Sequence, residues 1–253
     1  MPVRLSERSD CRIDDALSDV GRRGVTIIEV LVVIGIIALL VAIVVPALFH
    51  ARQSARSTRS ATNCKQLATL IVMYADRNAG RFPVPKPGQF VPAMSDQLLL
   101  QYPYWDFHRT WPGLLYDELP YQAHVDVYRA PNAKFKFDGD VPWPSSYSFT
   151  LTAGAPGELW VRSADQLRIE TRVMRLDDVF FPSSKGMLWE VGGHLRAVEE
   201  DGAQSVPIGF MDLSVRALVP RFASEAVSNT TNSVGYANAR IHNTERGLQG
   251  VDY

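Results

Sequence analysis

From Val30 to Phe49 the chain reads VLVVIGIIALLVAIVVPALF, 20 residues without a charged or hydrogen-bonding side chain. At about 1.5 Å per residue a helix of that length covers about 30 Å, the thickness of a bilayer's hydrocarbon layer. Val and Ile are mediocre helix formers in water. In lipid, however, each backbone polar group must be paired within its own segment, and a helix does this. Helices of soluble proteins rarely run this far without a polar face. A cleavable secretory signal has a shorter apolar part, about 7–15 residues, and then small residues at the cut. Phe49-His50-Ala51-Arg52 offers no such site. Arg22-Arg23 suggests a twin-arginine signal, but those avoid an acid such as Glu29 in the apolar region. The run is read as a membrane-spanning helix.

Glu29 is the anomaly. An acidic side chain costs about 2.5–3.5 kcal/mol at the centre of a membrane helix and less toward the interface. Either it serves a function and has a partner, or it is an interfacial carboxylate favoured by the N-terminal helix dipole. The residues alone leave both open.

Gly24-Val25-Thr26-Ile27-Ile28-Glu29, preceded by Arg22-Arg23 and followed by the apolar run, resembles a type IV prepilin or type II secretion pseudopilin signal. The family pattern is a basic leader ending in Gly, then Phe-Thr-Leu-Ile-Glu and about twenty apolar residues. Many members carry a proline where Pro46 falls. Val25 departs from the methionine or phenylalanine commoner at the first mature position. The resemblance implies cleavage by a prepilin peptidase between Gly24 and Val25, N-methylation of Val25, and assembly through Glu29, which would face the N-terminal amine of a neighbouring subunit. A carboxylate and an ammonium meeting in a dry bundle offset each other's desolvation, whereas a misregistered subunit leaves both unpaired. The implied organisation is a leader at 1–24, a transmembrane part at 25–49, an amphipathic continuation at 50–77 and an exported domain at 78–253.

Charge does not decide topology. Arg8, Arg12, Arg22 and Arg23 precede the run, and Arg52, Arg56, Arg59 and Lys65 follow it. The resemblance implies a single-pass protein of the inner (cytoplasmic) membrane, with its N-terminus in the cytoplasm and its domain outside. The implied partners are the peptidase, other pseudopilin subunits and inner-membrane lipid.

Beyond His50, Cys64, Leu67, Ile71 and Tyr74, with Ala68 and Ala75 alongside, form one apolar face of a continuing helix. Asn78, Gly80 and Pro83 stop it, and Pro46 should weaken or kink it by removing one backbone bond. The arginines after the run read as a solvated segment close to lipid headgroups, with a lipid- or nucleic-acid-binding patch as the alternative. Further on, Tyr147, Phe149 and Leu151 alternate with Ser146, Ser148 and Thr150, as a half-buried strand does. Met211, Leu213, Val215, Ala217 and Val219 suggest a longer strand. Met187–Val191 and Leu195–Val198, around Gly192-Gly193-His194, suggest a hairpin. Val125 and Val127 hint at another strand. The fold class expected is α+β, one long N-terminal helix packed on a small antiparallel sheet.

The 253 residues are 46% apolar, and 26 Lys and Arg face 27 Asp and Glu for a net charge of −1. A dedicated nucleic-acid binder would show a basic excess, so no nucleic-acid partner is expected. Two cysteines, Cys11 in the leader and Cys64, make neither a disulfide framework nor a zinc knuckle. Asp178–Leu188 and Phe210–Arg216 are similar to a group of bacterial pilin-like proteins with a His about nine residues before a C-terminal Asp-Gly. Here Leu213 follows Asp212, and the nearest preceding histidine is His194.

The chain has none of the metalloprotease, nucleophile-elbow, Walker A or dinucleotide motifs. His124 and Asp126 would share a strand face, and with His108 and Asp117 would make a conceivable metal site. Scattered loop histidines are the ordinary reading, so no metal, cofactor or catalytic residue is expected. Glu199-Glu200-Asp201-Gly202 reads as an exposed acidic turn or, as in some pseudopilins, a calcium loop. Seven aromatics between Tyr102 and Tyr121 read chiefly as packing under a long loop, with a partner-binding surface as the alternative. The functional expectation is a structural pseudopilin-like subunit, not an enzyme. The alternative is a membrane-anchored ligand-binding or hydrolase domain that uses the same signal.

Overall fold

A computed structural model describes residues 24–92, 99–101, 104–117, 119–120, 123–131, 145–160, 172–191, 205–227 and 240–253. Contacts divide the chain into two compact units, 1–51 and 52–253.

A single 51-residue helix, α1 (Ile27–Arg77), opens the described chain and passes Pro46 without a break. Its start is fixed by Thr26, whose carbonyl accepts the first helical bond from Val30 N–H at 3.2 Å. Its end is set by Asn78, whose side chain donates to Tyr74 O at 2.7 Å, and by Gly80 at φ 77°, whose N–H reaches back to Ala75 O at 2.8 Å. That bond caps carbonyls the helix would leave orphaned, in a conformation glycine adopts at little cost.

In the first unit every described residue is exposed, including all of the apolar run. Among the described residues this is the one helix long and apolar enough to cross a membrane.

In the second unit the rest of α1 meets a four-stranded antiparallel sheet in the order β3-β4-β5-β6. β3 is Tyr147–Phe149, β4 Gly186–Glu190, β5 Val206–Phe210 and β6 Val215–Leu218. A separate hairpin pairs β1 (Phe90–Pro92) with β2 (Leu99–Gln101). Among the described residues there are also two one-turn helices, α2 (Phe107–Thr110) and α3 (Val125–Tyr128), and several 3-10 turns. The result is α+β, a long N-terminal helix on a small antiparallel sheet, which is a pilin-like architecture.

α1 docks through Ser60, Asn63, Cys64, Leu67, Ala68, Ile71 and Ala75, all buried and sharing one helix face through steps of three and four. The close approach is permitted by Gly209 on β5, where an added Cβ would stand 3.0 Å from Cys64 Sγ. The main core gathers this face with Phe82, Trp105, Phe107, Trp111, Phe149 and Trp160. A smaller cluster of Trp189, Ile208, Phe210 and Ile241 brings in the C-terminal segment.

Several strand expectations are corrected. Val125 and Val127 lie in α3, where one helical turn overrides the β-branched preference. The stretch from Met211 to Val219 is not one strand. Phe210 N–H bonds Ser214 O, and Asp212 Oδ1 accepts from Ser214 N–H at 2.9 Å, making a tight turn before β6. β4 pairs with β5, which begins at Val206; the proposed partner at 195–198 lies outside the described residues. Ser146, Ser148 and Thr150 are as buried as their apolar neighbours, so the strand is covered on both sides.

Candidate functional site

The residues that carry the N-terminal resemblance lie just before and within the first half of α1. Gly24 and Val25 precede the helix in exposed, non-helical backbone. Gly24 has no positive φ, and a Cβ added there would meet nothing within 4 Å. Local structure therefore does not require glycine at this position. Glu29 Oε2 accepts from Thr26 N–H at 2.8 Å and from Thr26 Oγ1 at 2.9 Å, while Glu29 N–H donates to Thr26 Oγ1 at 3.2 Å. This is a reciprocal capping box. It satisfies two amide donors that a helix start otherwise leaves unpaired, and it sets the carboxylate against the positive end of the helix dipole. Glu29 thus has a partner within its own chain. Pro46 lies on the exposed run, within the helix.

The second constellation joins α1 to the sheet through polar groups. Ser60 Oγ donates to Glu190 Oε2 at 2.5 Å and lies 3.0 Å from Tyr147 Oη, which in turn donates to Ser60 O at 3.2 Å. Asn63 Nδ2 donates to Asp126 O at 2.7 Å, tying the helix to α3. Burial pushes the Glu190 carboxyl above its ordinary range, and the Ser60 hydroxyl only partly offsets this. Burial also raises the Tyr147 phenol, and it pushes the Cys64 thiol up to about 12. Such a thiol carries almost no thiolate at neutral pH and is no nucleophile.

A third group is wholly buried. His242 Nδ1 accepts from Leu151 N–H at 3.3 Å, so the neutral ring carries its proton on Nε2 and donates it to Ser148 Oγ at 3.2 Å. That polarity is the reverse of a serine–base pair, in which the imidazole accepts from the hydroxyl. His108 meets the His242 ring edge-on at 5.3 Å and pairs through Nδ1 with Trp105 O at 2.7 Å. Desolvation, reinforced by the Arg109 charge, drives the His108 imidazole down to about 3. Burial holds His242 far below its ordinary value too.

No protein-family model, curated protein or solved structure matches this chain.

The strand pairing of His124 with Asp126 does not exist. His124 stands at the N-terminus of α3, and Asp126 instead pairs with Arg59 at 2.9 Å. His108 is buried away from solvent while Asp117 is exposed. Among the described residues no group of three His, Cys, Asp or Glu is placed to hold a metal ion. The acidic segment at 199–202, His194, Tyr102 and Tyr121 lie outside the described residues. Of the aromatic series, Trp105, Phe107 and Trp111 are buried: Trp105 meets Phe107 and Trp160, Phe107 and Trp111 both meet Phe149, and Trp111 meets Tyr128. These three rings are core.

Sequence reading missed Thr26 as the partner of Glu29, although T-x-x-E before an apolar run is a capping-box signature. It also missed Ser60, Glu190 and Asn63, for which no local pattern gives a signal.

Proposed function

We propose that this chain is a structural, pseudopilin-like subunit of a type II secretion or type IV pilus-like assembly. A prepilin peptidase removes 1–24, Val25 becomes the methylated N-terminus, and the apolar run anchors the subunit in the inner membrane with its domain outside. Once the leader is gone, Glu29 is available to the Val25 amine of a neighbouring subunit, and Pro46 lies within the packed run. The domain then presents surface to other subunits and carries out no catalysis.

The observation that carries this reading is the double character of α1. One uninterrupted helix has a capped, exposed half whose wholly apolar run from Val30 to Phe49 is of membrane length, and a second half built into the core of a sheet domain. A tethered enzyme or ligand-binding module needs no such continuity, since a flexible linker would serve it.

The test is mass analysis of the N-terminus of the purified protein, beside Gly24→Ala. The wild type is expected to begin at a methylated Val25 and the variant to keep its leader. Because a Cβ at Gly24 meets nothing, loss of processing reports recognition by the peptidase and not misfolding. A wild-type chain that still begins at Met1 overturns the proposal.

A further inference from the structure

Between Glu29 and Asp76 the sequence contains no acidic residue, yet it contains Arg52, Arg56, Arg59 and Lys65. Within α1, positions 52, 56 and 59 stand four and three apart, so the three guanidinium groups share one face. Arg59 is paired with Asp126 at 2.9 Å. Arg52 and Arg56 are exposed, and among the described residues no ion pair reaches either. Two like charges one turn apart repel each other and weaken a helix. The helix therefore gains nothing from them internally.

Their spacing says what neutralises them. Arg52 follows Phe49, the last residue of the apolar run, by three positions and Arg56 follows it by seven. At about 1.5 Å per helical residue those offsets are about 4.5 and 10 Å. The polar headgroup layer adds about 5–8 Å on each side of the hydrocarbon. Arg52 falls within that layer, and the long side chain of Arg56 reaches back into it from the rim. The guanidinium fork matches two phosphate oxygens at once, and Arg is more weakly hydrated than Lys.

Processing sharpens the argument. The leader carries every basic residue on the N-terminal side of the run, so the mature chain keeps basic side chains on one side only. In the proposed topology this is the outer side, against the usual inside bias of basic residues. An anionic outer-face headgroup removes that conflict.

We infer that Arg52 and Arg56 form a clamp for the phosphate of an anionic membrane lipid such as phosphatidylglycerol, setting the depth at which α1 leaves the bilayer. The inference rests on the membrane reading above. Arg59, held by Asp126, lies outside the clamp.

The test uses the full chain reconstituted in phosphatidylcholine bilayers with trace spin-labelled phosphatidylglycerol or phosphatidylcholine, and reads the motionally restricted fraction of each. A basic residue near the surface contributes about 1 kcal/mol, or about fivefold in lipid association. The wild type is expected to prefer phosphatidylglycerol at least fivefold. Arg52→Gln/Arg56→Gln should bring the ratio close to one, and Arg59→Gln should leave it unchanged. Equal fractions for the two lipids in a wild type that floats with vesicles overturn the clamp alone, as does an undiminished preference in the double variant or an equal fall in Arg59→Gln. A wild type that does not float with vesicles of either composition overturns the membrane reading and the clamp with it.

Discussion

Thr26 decides how Glu29 enters the apolar helix. With the carboxylate bound to the Thr26 amide and hydroxyl, Glu29 is a helix-capping group. Thr26→Ala keeps the amide but removes the hydroxyl that donates to Glu29 and accepts from its N–H, and loss of an N-cap costs about 0.5–2 kcal/mol of local helix stability. Hydrogen exchange in detergent micelles should show faster exchange at Ile27–Val30 in Thr26→Ala, with the second unit unaffected; unchanged exchange would show that the cap does not hold the helix start. Glu190 is expected to act in the opposite sense. Its folded-state pKa is raised by burial, so the folded domain binds its proton more tightly than the unfolded chain does. Its stabilising contribution is complete below the unfolded carboxylate range and is lost as pH rises through the folded value. Glu190→Gln keeps the hydrogen bond to Ser60 without the charge. It should melt at the same temperature as wild type near pH 4 and at a higher one at pH 7, and a lower melting temperature at pH 7 would show that the ionised carboxylate is the stabilising form.

At the scale of elements, the contact between α1 and the sheet depends on how near the helix comes to β5. Gly209→Ala would bring a methyl to 3.0 Å from Cys64 Sγ and 3.7 Å from the Ala68 methyl, tight enough that the helix or strand must give way. Overpacking of this kind costs about 1–3 kcal/mol. The same substitution in a Cys64→Ala background should recover most of the loss in denaturant melts, since Sγ is the nearer obstacle. Equal losses in both backgrounds would show that the strain lies elsewhere. This interface also shows which parts of the fold could be read from the sequence. Cys64, Leu67, Ala68, Ile71 and Ala75 were legible because an apolar stripe has the helical period, and the run from Val30 to Phe49 because its composition allows little else. Ser60 and Asn63 extend the same face by a turn, but as polar residues they carry no such mark and matter only through Glu190 and Asp126, which are distant in sequence. β5 was unreadable for a related reason. Pro207 and Gly209 argue against an interior strand, yet Gly209 is present because the helix passes over it. Val125 and Val127 pointed to a strand because two β-branched residues are a weak prior that packing can reverse.

Over the whole second unit, the far end of the chain is held by a buried charge pair that neither composition nor spacing announces. Lys185 and Asp252 are almost inaccessible, and their charges stand 3.1 Å apart. Thr244 Oγ1 bonds both, and Gly186 N–H donates to Asp252 Oδ2 at 2.8 Å. Asp252 also returns its backbone to the domain, its N–H donating to Ser184 O at 3.0 Å and its carbonyl accepting from Ser224 N–H at 2.8 Å. Burial lowers the Lys185 pKa, and the Asp252 charge and hydrogen bond oppose that. The pair therefore fixes position more than it adds free energy, because desolvation of two ions offsets much of their attraction. Asp252→Asn should cost about 3–5 kcal/mol in denaturant melts of the full chain in micelles, since it strands a buried cation. Lys185→Met/Asp252→Leu should recover most of that loss, and a double variant as unstable as the single one would show that the pair is a net source of stability. Acid strains the same domain by a separate route. His108, neutral in the folded state down to about pH 3, must stay unprotonated while the unfolded chain takes up a proton near pH 6.5. Its contribution is present above the unfolded value and is lost as pH falls through that window, by about 1.4 kcal/mol per pH unit for each such group. His108→Gln should therefore lower the midpoint of acid unfolding, although it is less stable than wild type at pH 7, where the Trp105 contact is missed. An acid midpoint that follows the loss at pH 7 would assign the sensitivity to His242 instead.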